Sequence, residues 1–261
     1  MRFVVDATQW NMDVGPGETP AAGAFASLDR VFELSGPQVS AGILCNVIKW
    51  CVAGRNYYVK RYSPRGKHFR KAFSRNRPLI ECRNLQYFSQ MGIPVPRVVA
   101  HGSQYHLGLL RRGALVTEEV PQAIDLQTLV QTRPEMFQDR AWVFAVMRLL
   151  ANYVRRIHED GFTHRDLKWR NILVTGGPTP RIVFLDCPSG RHTLRPWRRY
   201  FMARDLADLD RSASTRLSRT MRLRFYLWYR GQTRLGPKDK ELITRVVALR
   251  RRREKSSARR R

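Results

Sequence analysis

The sequence predicts an α+β chain in two lobes, a small β-rich lobe over about residues 26–120 and a helical lobe over about 121–250. Three observations carry that prediction. Short runs of β-branched and aromatic residues, punctuated by Gly and Asn turns, crowd the first part of the chain. After about Asp125 the apolar residues recur at helical spacing instead. Among the helices sits one short polar segment, residues 164–171, dense in side chains that can do chemistry.

The elements follow in order. Gly15-Pro16-Gly17 and Pro20-Ala21-Ala22-Gly23 mark residues 1–25 as a flexible N-terminal arm. Residues 31–34, 43–52 and 57–62 read as strands, the last two joined by a hairpin turn at Ala53-Gly54-Arg55-Asn56. Residues 78–91 place Leu79, Cys82, Leu85 and Phe88 on one helical face and end at Gly92. Pro94 and Pro96 then lead into a strand at Val98-Val99-Ala100, and Leu115-Val116-Thr117 makes another. In the second lobe, residues 141–158 align Trp142, Val146, Leu149, Leu150, Tyr153, Val154 and Ile157, with Gly161 closing the helix. Strands at 172–174 and 182–185 flank the turn Thr175-Gly176-Gly177-Pro178, and helices are expected at about 203–213, 215–229 and 237–250. Residues 251–261 read as a polybasic tail.

Charge is the compositional outlier. The 261 residues hold 48 Lys+Arg against 21 Asp+Glu, a net +27. Residues 245–261 carry nine Lys/Arg and one Glu, so most of the excess belongs to the folded body. Such a field favours a polyanion: nucleic acid, an anionic membrane or a phosphorylated glycolipid. Cys45, Cys51, Cys82 and Cys187 show no C-x-x-C pair or metal-ligand spacing and read as reduced thiols. The opening Met1-Arg2-Phe3-Val4-Val5 meets Asp6 before any apolar stretch forms, so no leader is expected, and no run is long enough to span a bilayer.

The segment His164-Arg165-Asp166-Leu167-Lys168-Trp169-Arg170-Asn171 matches the H-R-D-L-x-x-x-N loop of protein-kinase-like phosphotransferases. The match implies a bilobal protein-kinase-like fold using ATP and Mg²⁺. Phosphoryl transfer needs a cation on the nucleotide phosphates, bound metal and an aligned acceptor hydroxyl. Candidates occur in the expected order. Lys60 sits on a strand and would neutralise the α/β-phosphates, with Glu81 on the next helix fixing it. Asp166 would accept the acceptor's proton and Lys168 would steady the γ-phosphate. Asn171 and Asp186 would hold Mg²⁺. Alone, Lys60 is an ordinary strand lysine and Asp186 a strand end; their order around the loop raises all of them together.

Two features depart from protein kinases. No G-x-G-x-x-G is present, and the nearest phosphate-covering candidate is residues 35–42. Asp186 is followed by Cys187-Pro188-Ser189-Gly190 in place of Phe-Gly, and no A-P-E motif follows. Both disfavour a regulated protein substrate. The adenine-holding hinge is placed at Glu118-Glu119-Val120, by position after the fifth predicted strand.

Further residues narrow the resemblance. These are Tyr58-Val59-Lys60-Arg61-Tyr62, the turn Gly92-Ile93-Pro94-Val95-Pro96, Arg204-Asp205-Leu206-Ala207-Asp208-Leu209-Asp210-Arg211-Ser212, and Arg224-Phe225-Tyr226-Leu227-Trp228-Tyr229. Over about residues 30–250 the chain resembles the lipopolysaccharide kinase family, the Kdo and heptose kinases of the Gram-negative inner core. The resemblance implies transfer from ATP to a sugar hydroxyl of the lipid A-linked core glycolipid. It also implies a cytoplasmic protein, peripheral on the anionic inner face of the cytoplasmic membrane. In that family Asp205 matches the aspartate bracing the catalytic loop. Residues 215–230 and the tail are the sequence's membrane-contact candidates, although a core helix with solvated arginines explains 215–230 as well. Two rivals stay open: a kinase of another small-molecule or protein acceptor, and a nucleic-acid binder on a degenerate kinase fold. Nucleic acid is not expected as the physiological partner, because Lys60, Asp166, Asn171 and Asp186 are all retained.

Overall fold

The computed structural model describes residues 6–15, 18–42, 45–63, 76–177 and 179–258. Two compact units divide the chain, one of residues 1–91 and 95–121, the other of 92–94 and 122–261. In the N-terminal unit, strands β1 (Asp6–Met12), β2 (Gln38–Ala41), β3 (Cys45–Val52), β4 (Arg55–Tyr62), β5 (Val98–His106) and β6 (Leu109–Glu118) form an antiparallel sheet in the order β1-β5-β6-β4-β3-β2. The β3–β4 hairpin turns where the sequence places it. Ala53 and Gly54 both take positive φ, 49° and 74°, the geometry a two-residue turn needs to match strand twist.

Alternation along β4 decides which side chain serves which layer. Tyr57 and Val59 join Ile48, Val99, Ala114 and Val116 in a core closed by helices α1 (Thr19–Ala24) and α2 (Leu28–Glu33) through Phe25, Leu28 and Val31. Tyr62 and Leu115 face the other layer and pack with Cys82 and Leu85 of helix α3 (Arg77–Gln90). The same alternation turns Lys60 toward α3. Asn76 caps that helix by accepting the Leu79 N–H at 3.1 Å.

Two expectations for this unit are corrected. Among the described residues, 6–12 and 18–25 are ordered structure, not an arm. β1 pairs along its whole length with β5, and Trp10 Nε1 donates to the Phe25 carbonyl at 2.8 Å. Gly-Pro composition suggested a loop, but long-range pairing overrides it. Residues 31–34 are not a strand: Ser27 accepts the Arg30 N–H and starts α2, which buries Leu28 and Val31 at helical spacing. Residues 1–5, 16–17, 43–44 and Pro178 lie outside the described residues, as does the end of the tail at 259–261.

The C-terminal unit is helical, with helices α4 (Leu126–Thr132), α5 (Arg140–Glu159), α6 (Arg195–Ala213), α7 (Arg219–Arg230) and α8 (Pro237–Ala258). α5 agrees with its periodicity. Asp139 caps it through the Ala141 and Trp142 N–H groups, its apolar face is buried, and Gly161 follows with φ +84°. Small ladders carry the polar loop: β9 (Ile172–Thr175) lies between β7 (Ala123–Asp125) and β10 (Ile182–Phe184), and β8 (Phe162–Thr163) pairs with β11 (Arg191–His192).

The polybasic tail is likewise corrected. α8 continues through residue 258, so residues 251–258 are helix. Arg250 Nε lies 3.0 Å from Asp210 and its Nη1 3.2 Å from Glu254, while Arg253 pairs with the buried Asp208. Ion pairing against α6 extends a segment that charge repulsion alone would leave unfolded. α7 also follows the core reading, with Tyr226 and Tyr229 buried and Trp228 edge-on to Phe144 at 5.8 Å.

Candidate active site

In the N-terminal unit, β4 and α3 bring Lys60 and Glu81 together. Lys60 Nζ donates to both Glu81 oxygens, at 2.9 and 3.0 Å. Glu81 is 2% exposed, and Tyr62, two residues along the same strand face, donates its hydroxyl to Glu81 Oε2 at 2.5 Å. The tyrosine was not anticipated; its signal is the i+2 spacing from Lys60. A buried carboxylate with a cation and a hydroxyl on it is satisfied in place and holds the ammonium in one position.

The residues named for the hinge behave differently. The Glu118 N–H donates to the Arg97 carbonyl at 2.9 Å, and its carboxylate accepts from Arg97 Nε at 2.8 Å. The Glu119 N–H donates to Asn56 O at 2.9 Å, with Lys49 and Asn56 on its carboxylate, both at 2.6 Å. Glu118 is therefore held by β-sheet and ion-pair contacts at the end of β6, and Val120 follows it outside the strand.

The C-terminal unit gathers Asp166, Lys168 and Asn171. Asn171 Nδ2 donates to the Asp166 carbonyl at 2.8 Å and to its Oδ2 at 3.2 Å, and Lys168 Nζ is paired with Asp166 Oδ1. The tight turn that allows this is a 3₁₀ turn at Trp169–Asn171, with the Asn171 N–H donating to Lys168 O. Burial pushes the Asp166 carboxyl up, but the hydrogen bond and charge of Lys168 outweigh it, aided by His164 and Arg170. The group sits below its ordinary value. Asp186 lies two residues past the end of β10, and the intervening Leu185 N–H donates to Asn171 O at 3.0 Å, tying the backbone at the two metal-site candidates together. With its amide nitrogen donating to Asp166, Asn171 presents Oδ1 as its acceptor. An amide oxygen and a carboxylate are the hard oxygen donors that suit Mg²⁺.

What holds the loop is deeper. Asp205 of α6, wholly buried, accepts the backbone N–H groups of His164 and Arg165, both at 2.7 Å. Arg165 has φ +67°, a left-handed conformation costly for a residue with a side chain. Asp205 also meets His158 Nε2 at 3.2 Å, whose Nδ1 lies 2.9 Å from the Tyr229 hydroxyl. His158 comes from α5 and no local motif marks it; Tyr229, from α7, closes the Arg224–Tyr229 run, but nothing in that run names its partner. His164 itself is buried, and burial is the main force holding its imidazole below the ordinary value. Arg165 lies over the Phe201 ring at 3.6 Å and donates to Thr163 and Thr193. Cys187 stands where the protein-kinase pattern has Phe. Its side chain is buried, with Sγ donating to His164 O at 3.8 Å, and a Cβ on Gly190 would stand 2.4 Å from that sulfur.

The model of the lipopolysaccharide kinase (Kdo/WaaP) family matches residues 42–233. The chain belongs to that family. Within it, the 3-deoxy-D-manno-octulosonic acid kinase of Actinobacillus succinogenes is 38% identical over 99 residues, and that of Vibrio cholerae 31% over 102 residues. These matches span 38% and 39% of this chain, and 38% and 40% of the two relatives, well under half their length. A solved structure, WaaP in complex with acyl carrier protein, superposes with a TM-score of 0.65 at 20% identity, covering 95% of this chain and 98% of that one. That likeness bears on the fold: the protein-kinase-like α+β architecture expected from the sequence is the architecture observed. Among the described residues, no helix is long and apolar enough to cross a membrane.

Proposed function

We propose that this protein is an ATP-dependent kinase that phosphorylates a sugar hydroxyl of the lipopolysaccharide inner core. The two curated relatives favour Kdo over heptose as the acceptor. The observation that carries the proposal is the cluster of Asp166, Lys168 and Asn171 on a strained loop clamped by Asp205. Each residue then has one task. Asp166, ionised, accepts the hydroxyl proton as the oxygen attacks. Lys168, now paired with Asp166, exchanges part of that contact for the γ-phosphoryl oxygens. Lys60, held by Glu81 and Tyr62, neutralises the nucleotide phosphates. Asn171 and Asp186 hold Mg²⁺, which supplies charge neutralisation on the transferring phosphoryl group. Adenine binds along residues 118–120; with the Glu118 and Glu119 N–H groups already donating, the donor there is Val120.

The +27 charge supports work at the inner face of the cytoplasmic membrane, where the glycolipid acceptor is embedded. Acyl carrier protein, bound in the WaaP structure, is the first protein partner to test by pull-down. The deciding experiment is mass spectrometry of Kdo- and heptose-bearing lipid A glycolipids incubated with ATP, Mg²⁺ and either wild type or Asp166→Ala. A gain of one phosphate with wild type alone supports the proposal, and fragmentation names the sugar. Equal transfer by Asp166→Ala removes Asp166 as the base. No transfer to any such acceptor refutes the substrate class.

A further inference from the structure

The surfaces that the sequence marks for membrane contact are partly engaged within the fold, although Arg216, Arg219, Leu223 and Arg224 are exposed. α7 buries its tyrosines, its Arg222 pairs with Asp210 at 2.8 Å and its Arg230 with Asp239 at 2.9 Å. On α8, Arg250 and Arg253 serve Asp210 and Asp208, leaving Arg251 and Arg252 exposed. The first two turns of α6 are arranged differently. Leu194, Trp197 and Tyr200, spaced three apart from the helix cap onward, are 78%, 62% and 40% exposed. Helical spacing puts the three on one side. Beside them in the chain stand Arg191, Arg195 and Arg199, all exposed, and residues 187–204 contain no Asp or Glu. The acidic neighbours are few and exposed: Glu241 lies 3.3 Å from Arg199, and Asp160 lies 2.7 Å from His192.

We propose that the N-terminal turns of α6, through Leu194, Trp197 and Tyr200 flanked in the chain by these arginines, dock on an anionic phospholipid bilayer. The inference rests on the membrane-surface part of the proposed function and gives it a location. The chemistry is that of an interfacial helix: tryptophan and tyrosine bury an apolar body while their polar tips stay at headgroup depth, and guanidinium groups meet lipid phosphates. A nucleic-acid partner explains the arginines but leaves the exposed leucine without a role, and an acidic protein is the rival that the test below separates from a bilayer. The placement also suits the reaction. One turn further along α6, Phe201 lies under Arg165 at 3.6 Å and Arg204 Nη2 donates to Arg165 O at 3.4 Å. The helix that touches the bilayer is therefore the one bracing the catalytic loop, which brings Asp166 to the surface where a lipid-anchored sugar is presented.

The test is co-sedimentation of the full chain with vesicles of phosphatidylethanolamine and phosphatidylglycerol, against phosphatidylcholine alone, at physiological salt. Wild type sediments with the anionic vesicles only. Replacing Arg191 and Arg195 by Gln lowers partitioning on the order of twentyfold, about fivefold for each charge. Bromine-labelled acyl chains quench the tryptophan fluorescence, and Trp197→Phe removes most of that quenching while still binding. The thermal melts of these exposed variants match wild type. Absence of vesicle binding, quenching unchanged by Trp197→Phe, or loss of binding in Arg251→Gln/Arg252→Gln instead would each overturn the assignment. So would capture of RNA or acyl carrier protein by this face without vesicle binding. Transfer to detergent-dispersed acceptor is read separately: its loss in wild type breaks the kinase reading and leaves the vesicle result intact.

Discussion

Replacing Asp205 by Asn tests whether the catalytic loop is held by the interior of the helical unit. The carboxylate accepts two backbone N–H groups at 2.7 Å and meets His158 at 3.2 Å in a fully buried site. Hydrogen bonds to a charged group contribute about 1.5–3 kcal/mol each, and a buried N–H left without its acceptor costs about 1–3 kcal/mol. An asparagine keeps one acceptor oxygen and turns an NH₂ toward the second N–H, so one bond is lost and the other weakened. The positive φ of Arg165, an added cost of about 1–2 kcal/mol, is then no longer held in place. The expected destabilisation is about 2–4 kcal/mol by urea unfolding followed by circular dichroism, with an unchanged m-value. Because relaxation of the loop moves Asp166, kcat should fall at least tenfold, with a smaller loss of nucleotide affinity, since Lys60 and the proposed adenine-holding segment lie in the other unit. A variant within about 0.5 kcal/mol of wild type and with a normal kcat would refute the clamp.

Three other outcomes are expected. Lys168→Ala removes the main group lowering Asp166, leaving burial to raise it, so the acid limb of the kcat/KM profile moves to higher pH; an unmoved limb excludes the coupling. The sign agrees with linkage: a depressed carboxyl stabilises the fold above its unfolded value and loses that contribution as pH falls through its folded value. Arg253→Ala leaves the buried Asp208 carboxylate without its guanidinium and should cost about 2–4 kcal/mol, below the upper range for a buried pair because Arg253 is 27% exposed. A thermal melt unchanged by this variant, or by truncation after residue 249, would restore the view of 251–258 as a dispensable tail. Gly190→Ala pushes a methyl against Cys187 Sγ and the Phe162 ring, with an overpacking cost of about 1–3 kcal/mol, and Cys187→Ala in the same chain should recover part of it in unfolding measurements.

Local sequence determined a good deal here, because phosphoryl-transfer chemistry confines its residue types to short stretches. The spacing from Asp166 to Asn171 is legible since a single tight turn must present both. The alternation through Tyr57, Val59 and Lys60, the 3.6-residue periodicity of α5 and the glycines that end helices are legible because they depend only on near neighbours. The same is true of Asp205, which lies in a recognisable D-L-A run. Other features depend on residues far apart in the chain, and no window along it could supply them. β1 looked like an arm because its hydrogen-bond partner, β5, is far away in the chain, with Asp6 paired to His106 and Met12 to Ala100. Residues 31–34 carry the β-branched and aromatic content of a strand, yet burial against the sheet made them helix. The arginines of α8 read as a solvated tail until Asp208 and Asp210 of α6 met them, and the His158–Tyr229 support of Asp205 draws on three separate helices. Sequence thus named the groups proposed to carry out the chemistry, while tertiary packing decided what holds them still and which basic, aromatic surface is left facing outward. A side chain's reactivity is its own, but its burial and partners belong to the whole fold.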